Sequence, residues 1–319
     1  MGSRIIIFVP YFGAFPDTFE LWLRGCKRNK DFNWIIYTDN DRKYDFPLNV
    51  SVKKISFERF KEKIEKKLGF RTGLKKPYKL CDFRPLYGWI FSDEVCGYTH
   101  WGYSDIDLLY GNLSNFISDD ILFKYDKVNA LGHLCIYKNI REVNCCFMKC
   151  DYKEILEDSN SRIFDEVRFS PNINELLISN GFKIKDTIPY ADISPFHFNF
   201  ELYEFYGGRK TKRKKRVPLI FEYSDGLFGC SIHNNQVTRK EYVYVHFQKR
   251  KMQLESDELD RYIMIPNRIL PHENVTTEFV LKNSKDNILY TFTNYYARIR
   301  DSVKRRTKGM IRVFTRGMH

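Results

Sequence analysis

Two acids two residues apart, Asp105 and Asp107, interrupt the apolar stretch HWGYSDIDLLYG at residues 100–111. Burying charged carboxylates is costly unless a cation or several donors compensate them. In a regular strand the i, i+2 spacing puts both on one side, with Ile106 facing the other way. Where such a strand ends and bends, the pair can converge on one hard cation, and that cation can hold a diphosphate. A lone DxD is weak evidence, and its plain alternative is a solvated strand end.

The elements that must position this pair follow from the apolar pattern. IIIFVPYFG (5–13) is a continuous apolar run broken by Pro and Gly, as expected of a central parallel strand. FPDTFELWLRGCKRN supplies a helix with Phe19, Leu23 and Cys26 on one face and Pro16 near its start. NWIIYTDN (33–40) and NVSVKKIS (49–56) are strands, and FERFKEKIEKKLGF (57–70) is an amphipathic helix. The resulting β-α-β-β-α order favours a doubly wound α/β sheet.

A helix is expected over 74–91, beginning after Pro77, with Leu80, Phe83, Tyr87 and Ile90 on one face. The DxD strand follows it. Beyond lie an expected helix at 114–124, a strand at 128–139, and helices around 141–157 and 171–180. VPLIFEYSDGLFGCSIHNNQVTRKEYVYVHFQ (217–248) reads as hairpins turning at Asp-Gly and Asn-Asn. No internal repeat is present.

The 319 residues suffice for one large domain or two smaller ones, with an ample core. No apolar run approaches the roughly 18–20 residues of a membrane span, and the N-terminus lacks a basic segment or cleavage site. A cytoplasmic protein is therefore expected. Eight cysteines without CxxC spacing read as reduced thiols. The net charge of +13 is concentrated in RKTKRKKR (209–216), read as a flexible excursion, and in residues 298–319. A nucleic-acid binder more often spreads cations over a folded face, so no nucleic-acid partner is expected.

Four blocks, IFVPYFG, PYKLCDFRPLYGWIF, WGYSDIDLLYGN and GHLCIYKN, together resemble GT-A fold bacterial glycosyltransferases of the capsular polysaccharide and lipopolysaccharide biosynthesis type. The resemblance spans roughly residues 4–250 and leaves the tail outside. It implies a GT-A-like, Rossmann-like nucleotide-binding mixed sheet flanked by helices, with a nucleotide-binding half at 1–112 and an acceptor half at 113–297. The implied activity is transfer of a sugar from a nucleotide diphosphate sugar, usually UDP-linked, to a growing or lipid-linked oligosaccharide. It implies a divalent cation, manganese or magnesium.

Carried onto these positions, the resemblance places Pro10, Tyr11 and Phe12 by the nucleoside, the alternative for the aromatics being core packing. Asp39 would meet uracil or ribose, or else cap a helix or close a turn. Lys79, Asp82 and Arg84 would face the donor sugar and diphosphate, where an acid can bond sugar hydroxyls and a cation can balance phosphate. Their plain alternative is a surface ion pair. Asp105, Asp107 and His246 would hold the metal, a donor set that suits manganese, with Lys249 on the diphosphate. The sequence departs from the HxxGxxK pattern between His246 and Lys249.

Asp165 and Glu166 are candidate general bases for an inverting reaction, or a pair at a helix N-terminus. His133 would line the acceptor pocket or sit in the core. The DxD and late histidine lean toward retention, a base at 165 or 166 toward inversion. Residues 298–319, basic with Ile299, Val303, Met310, Val313 and Phe314 interspersed, read as an interfacial helix drawn to anionic lipid at the inner face of the cell membrane, the alternative being a disordered solvated tail. A non-enzymatic RNA- or membrane-binding protein is the rival reading.

Overall fold

In the computed structural model, described for residues 4–166, 170–206, 209–211, 217–248, 250–293, 296 and 300, the chain forms three mixed sheets flanked by helices. Lys249, residues 212–216 and nearly all of the basic tail lie outside the described residues.

The first sheet is built on β1 (Ile5–Pro10), β2 (Phe32–Thr38), β3 (Val50–Lys54) and β4 (His100–Ser104). β1 pairs in parallel with both β2 and β4, and β2 with β3. The unbroken run at β1 is explained by burial on both faces. Ile6 and Phe8 enter one core, with Tyr37 and Phe60, while Ile5, Ile7 and Val9 enter another, with Trp22 and Trp34. Two helices make the crossovers, α1 (Phe19–Arg28) and α2 (Phe57–Leu68). Ser56 caps α2 by accepting the Arg59 N–H, and Gly69 ends it at φ 78°, a left-handed conformation that suits glycine.

After β4 come β5 (Leu108–Tyr110), β6 (Lys127–Val128), β7 (Leu134–Lys138) and β8 (Ile184–Lys185). β7 runs antiparallel to β4, giving the order β3-β2-β1-β4-β7-β6-β8. The first sheet therefore crosses the boundary at residue 112 between the two expected halves.

β9 (Ala191–Ile193), β10 (Leu202–Tyr206) and β11 (Arg209–Thr211) form the second sheet together with β5 and a later strand. Of the segment 209–216, read as a flexible excursion, the first three residues instead form β11 and pair with β10, while 212–216 lie outside the described residues. The hairpins expected over 217–248 are present as β12 (Leu219–Tyr223), β13 (Leu227–His233), β14 (Gln236–Glu241) and β15 (Tyr244–His246). Asn234 and Asn235, both at positive φ (47° and 59°), make the tight turn between β13 and β14. β16 (Gln253–Leu254), β17 (Tyr262–Ile265) and β18 (Arg268–Pro271) complete the third sheet with β12–β14. β15 leaves that hairpin series to lie between β5 and β9.

Three expected elements differ. The helix over 74–91 is a pair of 3₁₀ segments, Pro77–Asp82 and Arg84–Leu86, followed by one α-turn, Tyr87–Ile90. Pro85 is the reason, since its ring and missing N–H break a continuous helix. The helix at 114–124 shrinks to Asp119–Lys124, capped by Ser118 after a 3₁₀ turn. The strand at 128–139 splits into β6 and β7 around Asn129, whose φ is 69°. All eight cysteines are free thiols.

Candidate functional site

β1 and β4 are parallel neighbours from which the chain continues in opposite directions along the sheet, from β1 toward β2 and from β4 toward β7. Such a switch point leaves a crevice beyond the carboxyl ends of the strands, where open α/β sheets bind ligands. β1 ends there at Pro10, and β4 ends at Ser104 with Asp105–Asp107 as the bend that follows. Ile106 is buried in the core shared with β5 and β15, while Asp105 and Asp107 keep partial exposure. The Asp105 N–H donates to the His133 carbonyl at 2.8 Å, and the Asp107 carbonyl accepts the Phe247 N–H at 3.2 Å. The acidic bend is thereby tied on both sides.

β15 brings His246 to this bend, in register with Leu108 of β5 and with Asp192 of β9. His246 Nδ1–H donates to Asp192 Oδ1 at 2.9 Å, and Gln248 Nε2 donates to the same oxygen at 2.9 Å. This leaves Nε2 facing Asp107 Oδ1, 3.5 Å away. Burial alone would lower the pKa of His246, but Asp107 and then Asp192 outweigh it and raise it well above the usual imidazole value. Asp192 is held below the ordinary carboxylate range, burial being outweighed by the bond from His246.

Ligand atoms of Asp105, Asp107 and His246 lie within 4.8 Å of one another. Two carboxylates and one imidazole are a donor set for a divalent cation. The Asp192 bond fixes the tautomer and orientation that a ligating histidine takes. The residues present therefore fit a metal.

Arg84 joins the acids across the cleft. Its Nη2 donates to Asp105 Oδ1, and Nη1 donates to Asp165 Oδ2 at 3.0 Å and to the Gly132 carbonyl at 2.9 Å. Asp165 is buried, and burial pushes its carboxyl up to about 8 against the pull of Arg84, whose charge is shared with Asp105. Glu166 accepts the Gly132 N–H at 3.3 Å. His133 packs its ring 4.0 Å from that of His246, and burial followed by the charge of His246 lowers its pKa. Its Nδ1 finds no hydrogen-bond partner among the described residues. Tyr11 is half-buried, and burial and then the charge of Asp107 raise its hydroxyl.

Asp105, Asp107, Arg84, His133, Asp165, Glu166 and His246 are thus linked in one cluster at the end of β4, with Tyr11 in the electrostatic reach of Asp107. Other candidates are spent elsewhere. Phe12 packs on Phe57 and Phe60, with ring centroids 5.2 and 5.3 Å away. Asp39 accepts the Gly13 N–H at 2.7 Å, which ties the loop after β2 to the loop after β1.

Lys79 and Asp82 do not form a surface pair. Both are buried, Lys79 Nζ donates to Asp82 Oδ2 at 2.7 Å, and the pair holds the 155–164 segment that leads into Asp165. Sequence reasoning passed over Asp192. Its signal was an isolated acid within the apolar run Tyr190–Ile193, the same feature that marked Asp105 and Asp107.

Residues 7–273 match the model described as "Family of unknown function (DUF6625)". The chain is a DUF6625 protein. No curated protein matches it. The DUF6625 match takes in every residue of the cleft and ends before the helix at Thr277–Asn283. Among the described residues of this DUF6625 chain, no helix is long and apolar enough to cross a membrane.

Proposed function

We propose that the chain is a metal-dependent glycosyltransferase of GT-A-like architecture that takes a nucleotide diphosphate sugar, UDP-linked, as donor and a lipid-linked or growing oligosaccharide as acceptor. One observation carries this reading. Asp105, Asp107 and His246 converge at the switch point of a mixed sheet, with an oriented imidazole and cationic Arg84 beside them. Asp105, Asp107 and His246 would hold manganese or magnesium, which supplies Lewis-acid stabilisation of the diphosphate as the glycosidic bond breaks.

The chain's own residues do the rest. Asp192 keeps His246 Nδ1 protonated, so that Nε2 presents its lone pair to the cleft once the second proton leaves. Arg84 is poised between Asp105 and Asp165 to exchange a carboxylate contact for a phosphate oxygen. Asp165 retains its proton to about pH 8, which favours donation over base catalysis. For an inverting route that leaves the base role to Glu166, whose backbone bond from Gly132 orients it in the cleft.

Calorimetry of UDP with manganese and with chelator tests the reading. UDP affinity should rise with manganese, and Asp107→Ala should lose that increment. Equal affinity with manganese and chelator in the parent refutes metal-assisted donor binding. A panel of nucleotide sugars assayed for manganese-dependent hydrolysis then identifies the donor.

A further inference from the structure

A groove of about 530 Å³ lies between the β17–β18 turn and residues 282–288, lined in part by Phe198, Arg268, Lys282, Lys285 and Ile288. A helix opens beside it at residue 288, where Asn287 Oδ1 accepts the Tyr290 N–H at 3.0 Å. Ile288, Leu289 and Phe292 are 74%, 75% and 75% exposed, and Tyr296, also helical, is 69% exposed. At the turn of an α-helix Ile288, Leu289 and Phe292 share an arc of about 100°.

The same helix grips the protein by a different face. The ring of Tyr290 meets Phe198 edge-on at 5.3 Å, and Thr291 Oγ1 accepts the Phe198 N–H at 3.1 Å. Those two positions are centred about 160° from the apolar arc. The apolar face therefore points outward while the docking face is occupied.

What covers it is indicated by charge. Lys282 and Lys285 stand exposed where the helix begins, while Arg268 is spent on Glu255 at 2.7 and 2.5 Å. In sequence, residues 297–319 add eight cations against Asp301. Three large apolar side chains beside this much positive charge match the boundary between headgroups and acyl chains of an anionic bilayer. We propose that the helix opening at 288 is a membrane-docking element whose apolar face, Ile288, Leu289 and Phe292, enters an anionic lipid surface.

The docked helix would also set the orientation of the cleft. Phe198 belongs to the segment after β9, and Arg250 pins that segment by donating to the carbonyls of Ser194 at 3.1 Å and Phe198 at 2.7 Å. The Asp192–His246 edge is thus tied to the membrane-facing helix. Delivery of a lipid-linked acceptor along that edge rests on the function proposed above; lipid binding itself does not.

The test uses the full chain and vesicles of phosphatidylcholine, with or without about 30% phosphatidylglycerol, at near-physiological salt. The parent should sediment with anionic vesicles only. The triple variant Ile288→Asn/Leu289→Asn/Phe292→Asn, with the basic tail intact, should lose at least about tenfold in partitioning. Separately, Phe292→Trp should be quenched by lipids brominated on their acyl chains. Failure of the parent to bind, unchanged partitioning of a folded triple variant, or an unquenched indole each overturns the proposal. So does a triple variant that merely converts a parent dimer to monomer, which would make a second copy the occupant. Manganese-dependent UDP binding, measured on the same samples, reports separately on the transferase reading.

Discussion

Asp82→Ala separates a structural from a ligand-binding role for the Lys79–Asp82 pair. Lys79 is 2% exposed and Asp82 0%, and Lys79 Nζ also donates to the carbonyls of Ile155 and Asn160 at 2.7 and 2.8 Å. Asp82 in turn accepts the backbone N–H groups of Arg162 and Phe164 at 2.9 and 2.8 Å. Removing the carboxylate strands a buried ammonium, a loss of about 3–5 kcal/mol. Each orphaned amide adds roughly 1–3 kcal/mol, less whatever water regains by entering the loosened segment. A net loss of about 5 kcal/mol is a large share of the roughly 5–15 kcal/mol that holds a typical protein folded. With a urea dependence of about 3 kcal/mol per molar, the midpoint followed by circular dichroism should fall by roughly 1.7 M. Asp82→Asn retains one acceptor oxygen and should lose less. If Asp82→Ala unfolds at the parent midpoint but no longer binds UDP, the pair serves the ligand and the anchoring argument is wrong.

Manganese and protons compete for His246 Nε2, so manganese-supported UDP binding should strengthen as pH rises through the raised pKa of His246. Asp192→Asn removes one of the carboxylates that raise it and should move this rise to lower pH; calorimetry across a pH series giving a flat profile in the parent contradicts the assignment. Asp165 has the opposite consequence for stability. Its carboxyl titrates at 3.8 in the usual case but at about 8 in the fold, so between these values the folded state holds the extra proton. Stability from this group is then lost as pH rises from about 4 to about 8. Asp165→Asn should flatten that slope in urea midpoints measured across the range, and a variant that tracks the parent at every pH shows that Asp165 ionises normally.

What the sequence made legible was whatever depends on near neighbours. The run Ile5–Val9 announces a strand buried on both faces because each residue supplies apolar area whichever way it points. Asn234-Asn235 announces a turn because both residues tolerate positive φ. The segment 74–91 misled because the spacing of Leu80, Phe83, Tyr87 and Ile90 is met nearly as well by successive 3₁₀ turns, and Pro85 was the local sign that it would be. The paired acids at 105 and 107 were visible for the same local reason, and their company was not. His246 and Asp192 are 54 residues apart, and they meet only because β15 leaves the hairpin series to run in parallel beside β9. The depth of Lys79 and Asp82 is likewise set by a segment some eighty residues on that folds across them. An isolated acid in an apolar strand is nevertheless a readable sign that such a distant partner is required, because an ionised carboxylate in that position is too costly to leave alone. Applied to Asp192 as it was to Asp105 and Asp107, that inference calls for a cation near β9, and His246, made cationic by the same acids, answers it.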